Sequence, residues 1–408
     1  MKSAIIPQSP SLLNGELFNY DSSCKVGTDA KSGFPDHIGY SMLREKFRDD
    51  GDELYTIDNV NIYSVDICIF IDMNYWYLSQ ILQMESPPTL VYIMREPPSV
   101  DPLNAIRNIL RIAPLFDVVF TWNDTLEEIS EKFIGYNWPQ HIQPVHTDKE
   151  SFQEQTLLTT VSSRRYSTHP NELYTAREEV IQYFDEHHPE RFSLFGRFWN
   201  KQPTIGDIVV HHKFKTDTYQ TYNGEIDDKS DAYTSHQFAL AFENITGIEG
   251  CITEKIFDCL RGGAVPVYWG ANNIEEYVPK DCFIDYRNFQ SPEALFERLD
   301  SVTAEEYNRY RSAGKDFLEE RGEEFSPECF AETIYENIYR DEKVGKDKLS
   351  NNVEEEIIRK GPAHQLVYHH DEYSAGRYVW NAMKLIRRDP QIILDIPEIP
   401  YHGLQKLL

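Results

Sequence analysis

Three chemically suggestive groups stand out in the chain. The first is Glu243-Asn244, followed within ten residues by Thr253-Glu254-Lys255. An apolar run, Phe238–Phe242, has the length of a buried strand and delivers Glu243 and Asn244 to a loop containing Gly247 and Gly250. Thr253 then stands where a helix would be capped, and Gly262-Gly263 stands where it would end. A helix N-terminus has free N–H groups and a positive dipole end, so this pattern offers an anion site. Lys255 in the first turn opposes the dipole, a cost of about 0.3–1 kcal/mol. That placement makes sense if Lys255 reaches over the same anion, with Glu254 beside it hydrogen-bonding ribose or sugar hydroxyls. A merely solvated first turn fits the spacing equally well.

The second group is Glu96, placed after the apolar run Leu90–Met94 and before Pro97-Pro98. A carboxylate at a strand's carboxyl edge suits taking a proton from a hydroxyl, and a turn-initiating surface Glu is the alternative. The third is Arg177 on a helical stretch, Asn171–His187, with Ser162 and Ser163 after an earlier strand and Gly196 after a later one. An ion pair along Arg177's own helix needs an acid three or four positions away, and Leu173, Tyr174, Val180 and Ile181 occupy those places.

The elements that must carry these groups form two alternating series. Val65–Ile71, Leu90–Met94 and Asp117–Thr121 read as buried strands, with a helical pattern at Asn104–Ile112. After a polar stretch at Val145–Glu154, a second series begins. Its strands are Thr156–Val161, Arg191–Gly196, Phe238–Phe242 and Ala264–Trp269, and Gln202–Ser235 reads as a long polar loop. From Thr303 the chain becomes helical and charged, and Tyr373–Arg388 suits an amphipathic helix. The expectation is an α/β protein with two Rossmann-like domains facing a cleft, ligands binding at the carboxyl ends of the strands, and a helical C-terminal extension. The domain expectations are 1–150, 151–335 and 336–408.

The segment His236–Gly270 resembles the donor-binding motif of the α1,3/1,4-fucosyltransferases, glycosyltransferase family 10. The matching residues are Phe238, Leu240, Phe242, Glu243, Asn244, Thr253, Glu254, Lys255, Gly263, Pro266, Val267 and Gly270. Cys251 departs from the pattern, standing where the family carries a Tyr that helps hold the diphosphate. Val91–Pro98 is similar to the family's Glu-Ser-Pro segment and puts Glu96 in the position of the catalytic base, with Pro97 replacing Ser. Thr160–Gly196 is similar to a Ser-bearing strand end, a helix whose Arg contacts the diphosphate (here Arg177) and a strand of Tyr-Gly type. The resemblance covers residues 85–330, most closely 236–290.

It implies a GT-B fold and inverting transfer of L-fucose from GDP-fucose to a glycan hydroxyl. Glu96 would be the base. Arg177, Glu243, Asn244, Thr253, Glu254, Lys255, Ser162 and Gly196 would bind donor, with no cofactor and no obligatory metal. Cys251 keeps open another GDP- or UDP-sugar on the same scaffold. A non-catalytic sugar-nucleotide or glycan-binding relative also remains, since it would keep Lys255 and Arg177 without needing Glu96. The acceptor is left undefined: a lipid-linked glycan, a surface polysaccharide or a free oligosaccharide.

Composition narrows the rest. Apolar residues make up 40% and charged residues 26% of 408, enough to bury a core. A net charge of −27 repels nucleic acid and anionic membrane surfaces. It fits a solvated acidic surface or a high-salt habitat. No apolar run approaches the ~20 residues of a membrane span, and the N-terminus lacks a signal-like core. The six cysteines, Cys24, Cys68, Cys251, Cys259, Cys282 and Cys329, form no CxxC pair and read as free thiols in a reducing compartment. The expectation is a cytoplasmic protein whose C-terminal helices serve oligomerisation or envelope docking. Asp50-Gly51-Asp52 reads as a surface turn rather than a metal-binding triplet. The pairs His187-His188, His211-His212 and His369-His370 read as solvated, since none has a second ligand pair at zinc-site spacing.

Overall fold

The computed structural model describes residues 1–19, 35–143, 151–200 and 218–338, with positions 353, 357 and 358. It contains two compact units. One is built from Met1–Asn19, Tyr40–Tyr136 and the described residues from Ala331 onward, and the other chiefly from the described residues of Asn137–Phe330.

From the N-terminus the elements are β1 (Lys2–Ile6), α1 (Pro35–Asp49), β2 (Glu53–Thr56), β3 (Ile67–Ile71), α2 (Tyr75–Ile81), β4 (Thr89–Ile93), α3 (Ile106–Ile112), β5 (Val118–Thr121), α4 (Asp124–Ile129) and β6 (Phe133–Gly135). The six strands form one sheet in the order β2-β1-β3-β4-β5-β6, every pair parallel. β3, Ile-Cys-Ile-Phe-Ile, is buried at every position, as a strand covered on both faces must be. Asp50-Gly51-Asp52 lies between α1 and β2, with Gly51 at φ +80°, so the triplet forms a turn. Asp50 accepts from the Tyr335 hydroxyl, and Asp52 pairs with the N-terminal amine.

The second series is β7 (Thr156–Val161), α5 (Tyr174–His187), β8 (Phe192–Phe195), α6 (Lys229–Thr234), β9 (His236–Phe242), α7 (Glu254–Gly262), β10 (Val265–Trp269), α8 (Ile274–Tyr277), β11 (Ile284–Asp285), α9 (Pro292–Asp300), α10 (Ala304–Arg321) and α11 (Pro327–Ile338). Its strands form a parallel sheet in the order β11-β10-β9-β7-β8. β9 shows why this sheet holds its helices as it does. Phe238, Leu240 and Phe242 join the core under α5 and α9, whereas Ala239 and Ala241 join the core under α6, α7 and α10. Large side chains fill one face, and the alanines let helices approach the other. Gly262 serves the same packing: a Cβ there would lie 2.4 Å from Tyr233 Cβ of α6.

The chain is thus α/β, with two Rossmann-like parallel-sheet units. The apolar runs picked out from the sequence fall on strands, each within a residue or two of the expected ends. β1, β2 and β6 carry no comparable apolar run in the sequence: β2 and β6 are four and three residues long, and β1, Lys-Ser-Ala-Ile-Ile, is cut short by Pro7. The polar stretch Gln202–Ser235, expected to be a loop, holds α6 at its end, while residues 201–217 lie outside the described residues. So do Cys24, His211-His212, His369-His370 and the C-terminal extension beyond Ile338, except for positions 353, 357 and 358. His188 is not simply solvated: its ring stacks on Phe296 with centroids 3.5 Å apart. Among the described residues Cys68, Cys251, Cys259, Cys282 and Cys329 form no disulfide. Among the described residues no helix is long and apolar enough to cross a membrane.

Candidate functional site

The junction between β9 and α7 gathers most of the residues singled out from the sequence. β9 ends at Phe242, and the Glu243 N–H still donates to the Trp269 carbonyl of β10 at 2.8 Å. This holds Glu243 at the carboxyl edge of the sheet with its side chain fully buried. The carboxylate faces Thr253: Oε1 accepts from the Thr253 N–H at 2.8 Å, and Oε2 from the Thr253 hydroxyl at 2.6 Å. Thr253 occupies the N-cap position of α7, but its hydroxyl does not cap the helix; it is committed to Glu243. Lys255 Nζ lies 3.2 Å from Glu243 Oε2, 2.8 Å from the Thr253 hydroxyl oxygen and 3.4 Å from Glu254 Oε1.

The electrostatics follow from that packing. Burial opposes the Lys255 charge, but Glu243 and Glu254 outweigh it and raise its pKa. Burial works against the Glu254 carboxylate too, yet Lys255, Lys229 and nearby donors hold its pKa down to about 2. Lys229 is itself paired with the buried Asp258 at 2.9 Å. Glycine makes the arrangement possible at Gly270, where a Cβ would lie 2.4 Å from Glu243 Cγ and 2.5 Å from the Tyr268 hydroxyl. Cys251 is 2% exposed in the loop before Thr253.

Arg177 belongs to the same cluster. Its Nη2 donates to the carbonyls of Phe242 and Glu243 at 2.6 and 3.2 Å, tying α5 to the end of β9. Burial lowers its pKa, against the pull of Tyr174, Glu243 and Glu254. The strap continues through Asn244, whose carbonyl accepts from the Leu173 N–H at 3.1 Å, and through the Thr246 N–H to the Asn171 carbonyl at 2.9 Å. Residues 171–173 make this strap instead of the first turn of α5, so the helix begins later than its periodicity suggested.

Ser162 and Gly196 form a separate pair at the ends of β7 and β8. The Ser162 N–H donates to the Phe195 carbonyl at 3.0 Å, and its own carbonyl accepts from Trp199 Nε1 at 2.6 Å. Gly196 sits at φ +126°, and a Cβ there would lie 2.1 Å from the Ser162 carbonyl oxygen. Only glycine fits both conditions.

Glu96 lies in the other unit, just beyond β4. Its carboxylate pairs with Arg95, and both side chains are largely buried, at 24% and 14% exposure. Two residues that drew no attention in the sequence, Asp72 after β3 and Asn104 before α3, surround its backbone. A polar residue directly after a buried strand was the available signal for Asp72. Among the described residues no group of three or more His, Cys, Asp or Glu side chains could hold a metal ion.

Comparison with known proteins bears on the segment that contains the β9–α7 junction. Residues 166–326 match the family described as glycosyltransferase family 10 (fucosyltransferase) C-term. Over this segment the chain is similar to glycosyltransferase family 10. An alpha-(1,4)-fucosyltransferase of Arabidopsis thaliana is 40% identical over 88 residues, which are 20% of this chain and 22% of the relative. A 4-galactosyl-N-acetylglucosaminide 3-alpha-L-fucosyltransferase 9 of Mus musculus is 26% identical over 222 residues, 49% of this chain and 59% of the relative. The chain therefore spans between a fifth and three-fifths of the length of these relatives. A crystal structure of alpha1,3-fucosyltransferase with GDP-fucose aligns over 85% of this chain and 93% of that one, with a TM-score of 0.46 and 13% identity. The family 10 segment includes Arg177, Gly196, Glu243, Asn244, Thr253, Glu254 and Lys255; Ser162 and Glu96 lie upstream of it.

Proposed function

We propose that this chain transfers L-fucose from GDP-fucose to a hydroxyl of a glycan, with inversion at the anomeric carbon and α1,3 or α1,4 linkage. The observation that carries the reading is the Lys255 ammonium at the first turn of α7, inside the family 10 segment and held by Glu243. A cation anchored beside free helix N–H groups is built for a diphosphate. As GDP departs, Lys255, Arg177 and the α7 N-terminus stabilise its growing negative charge. Glu254 and Asn244 meet donor hydroxyls, Ser162 and Gly196 border the nucleotide, and Glu243 with Thr253 keeps Lys255 in place. Glu96 takes the acceptor proton as the acceptor oxygen attacks. Fixed cations do the work a divalent metal would otherwise do, so turnover needs no metal or organic cofactor. We propose a cytoplasmic location, since the buried thiols of Cys68, Cys259 and Cys282 fit a reducing compartment.

The test is GDP-fucose turnover with a 4-galactosyl-N-acetylglucosaminide acceptor, wild type against Glu96→Gln. Turnover in the wild type and a loss of at least 10²-fold in the variant support the reading. GDP binding without turnover in both makes the protein a sugar-nucleotide-binding relative instead.

A second reading, another nucleotide sugar on the same scaffold, is favoured by one observation. Cys251 is buried where the family carries a diphosphate-holding Tyr. A thermal-shift screen of GDP- and UDP-sugars separates the two, because a bound donor raises the unfolding midpoint.

A further inference from the structure

The end of β4 is held from outside the sheet ladder. β4 pairs with β3 as far as Ile93, and the Met94 N–H still reaches the Phe120 carbonyl of β5. The next two N–H groups, of Arg95 and Glu96, run past the ladder, and Asp72 takes both. Its Oδ1 accepts from Arg95 at 2.7 Å and from Glu96 at 3.2 Å, and its Oδ2 also lies 3.2 Å from the Glu96 N–H. To aim its carboxylate this way, Asp72 adopts a left-handed backbone, φ +56°, while its own N–H stays on the Ile93 carbonyl at 3.0 Å. Few residue types adopt that conformation, and held strain of this kind is a pointer to function.

Asn104 closes the clamp on the other side. Its Nδ2 donates to Asp72 Oδ1 and to the Glu96 carbonyl, both at 2.7 Å, and its Oδ1 accepts from the Tyr92 hydroxyl at 2.6 Å. Trp122 Nε1 donates to the Arg95 carbonyl at 2.9 Å, and the Tyr136 hydroxyl to the Met94 carbonyl at 2.7 Å. Pro97 fixes the following backbone angle. The peptide groups on both sides of Glu96 are therefore held. Asp72 and Asn104 are 4% and 0% exposed, so they are poorly placed to touch a substrate themselves.

We propose that Asp72, braced by Asn104, is the positioning residue for the acceptor base. It fixes the Glu96 peptide and thereby the direction in which the Glu96 carboxylate leaves the sheet edge. The proposal rests on Glu96 being that base. An error of about 1 Å in such a group costs on the order of 10²-fold in rate.

The test is a double-mutant cycle on the full chain, assayed with GDP-fucose and the same acceptor. Asp72→Asn keeps the shape but replaces one acceptor oxygen with a donor; Asn104→Ala removes the brace. Both are expected to lower kcat, Asp72→Asn by about 10²-fold, with donor KM and the GDP-induced thermal shift unchanged. In the Glu96→Gln background the same substitutions should lower the residual rate no further, because they act through a group already removed. Two outcomes overturn the proposal: a folded Asp72→Asn with kcat near wild type, or an equal further loss in the Glu96→Gln background. If Asp72→Asn does not fold, the Asn104→Ala cycle decides by the same criteria. Wild-type turnover in Glu96→Gln overturns the base reading itself, which is a different result from an inactive Glu96→Gln beside a normal Asp72→Asn.

Discussion

Glu243 accepts two hydrogen bonds from one residue, Thr253: the backbone N–H at 2.8 Å and the hydroxyl at 2.6 Å. A strand end and a helix start are thereby locked together through one fully buried carboxylate, with Lys255 as its counter-charge. Removing one member of such a buried charged set strands the others. Glu243→Ala is expected to destabilise the protein by about 3–5 kcal/mol. Glu243→Gln, which keeps one acceptor for Thr253, should cost about 1–3 kcal/mol. Denaturant unfolding measures both, and a Glu243→Gln variant as stable as wild type would mean that the carboxylate's charge contributes nothing.

Gly196 allows a sharper prediction because two independent conditions require glycine. Its φ of +126° is one that side chains rarely adopt, and the added Cβ would lie 2.1 Å from a backbone oxygen, which cannot rotate away. Gly196→Ala must therefore move the ends of β7 and β8 apart. A loss of at least about 2–3 kcal/mol is expected. Gly224→Ala is the control: it shares a positive φ, +97°, but nothing lies within 4 Å of its Cβ. Its thermal midpoint should fall by visibly less.

The contrast among these residues explains how much could be read in the sequence. The longer buried strands declared themselves as apolar runs, because a parallel strand covered on both faces has no polar side. Lys255 declared itself by standing against a helix dipole. The destination of each polar side chain did not. Thr253 looks like a capping residue in sequence and is one by position, yet its hydroxyl goes to Glu243, ten residues earlier in the chain. Arg177 was visible as an arginine with no acid three or four positions away on its own helix, but the carbonyls it holds lie at the end of β9, 65 and 66 positions away. Asp72 offered only the signal of a polar residue directly after a buried strand, and its role and that of Asn104 stayed hidden for the same reason: the peptide they clamp follows another strand. Periodicity reports which face is buried; it does not report partners brought together by crossover connections.

Lys255 and Arg177 differ in what they can give a donor. Lys255→Gln keeps a hydrogen-bond donor for Glu243 and removes the charge. GDP affinity is expected to fall about 10–100-fold, the worth of one charge-assisted hydrogen bond of about 1.5–3 kcal/mol. Arg177→Lys should also weaken GDP binding, and both variants should lower the thermal midpoint, Lys255→Gln because it strands the buried Glu243 carboxylate. A lysine cannot span the Phe242 and Glu243 carbonyls as the guanidinium does. Calorimetry with GDP in the presence and absence of EDTA measures both effects. EDTA should leave GDP affinity unchanged, and a marked loss with EDTA would show that a divalent ion shares the site.

Asp101 carries a pH prediction of its own. Burial, with Glu96 nearby adding to it, pushes its pKa up to about 7 against the N–H it accepts from Leu103. An aspartate in the unfolded chain titrates near 3.9. Between those values the folded protein holds a proton that the unfolded chain has released, so stability falls as pH rises through the window from about 4 to about 7. The loss is on the order of 4 kcal/mol. Glu254 acts in the opposite sense and in a lower window: its depressed pKa of about 2 contributes stability that is lost only as pH falls through roughly 4 to 2. The Asp101 effect falls between pH 5 and pH 7, a window it shares with Glu127, whose pKa burial also raises to about 7, so it is read as the difference between wild type and variant. Denaturant midpoints should decline across that range in the wild type and stay flatter in Asp101→Asn, which has no proton to lose. Parallel declines in the two proteins would assign the slope to other groups.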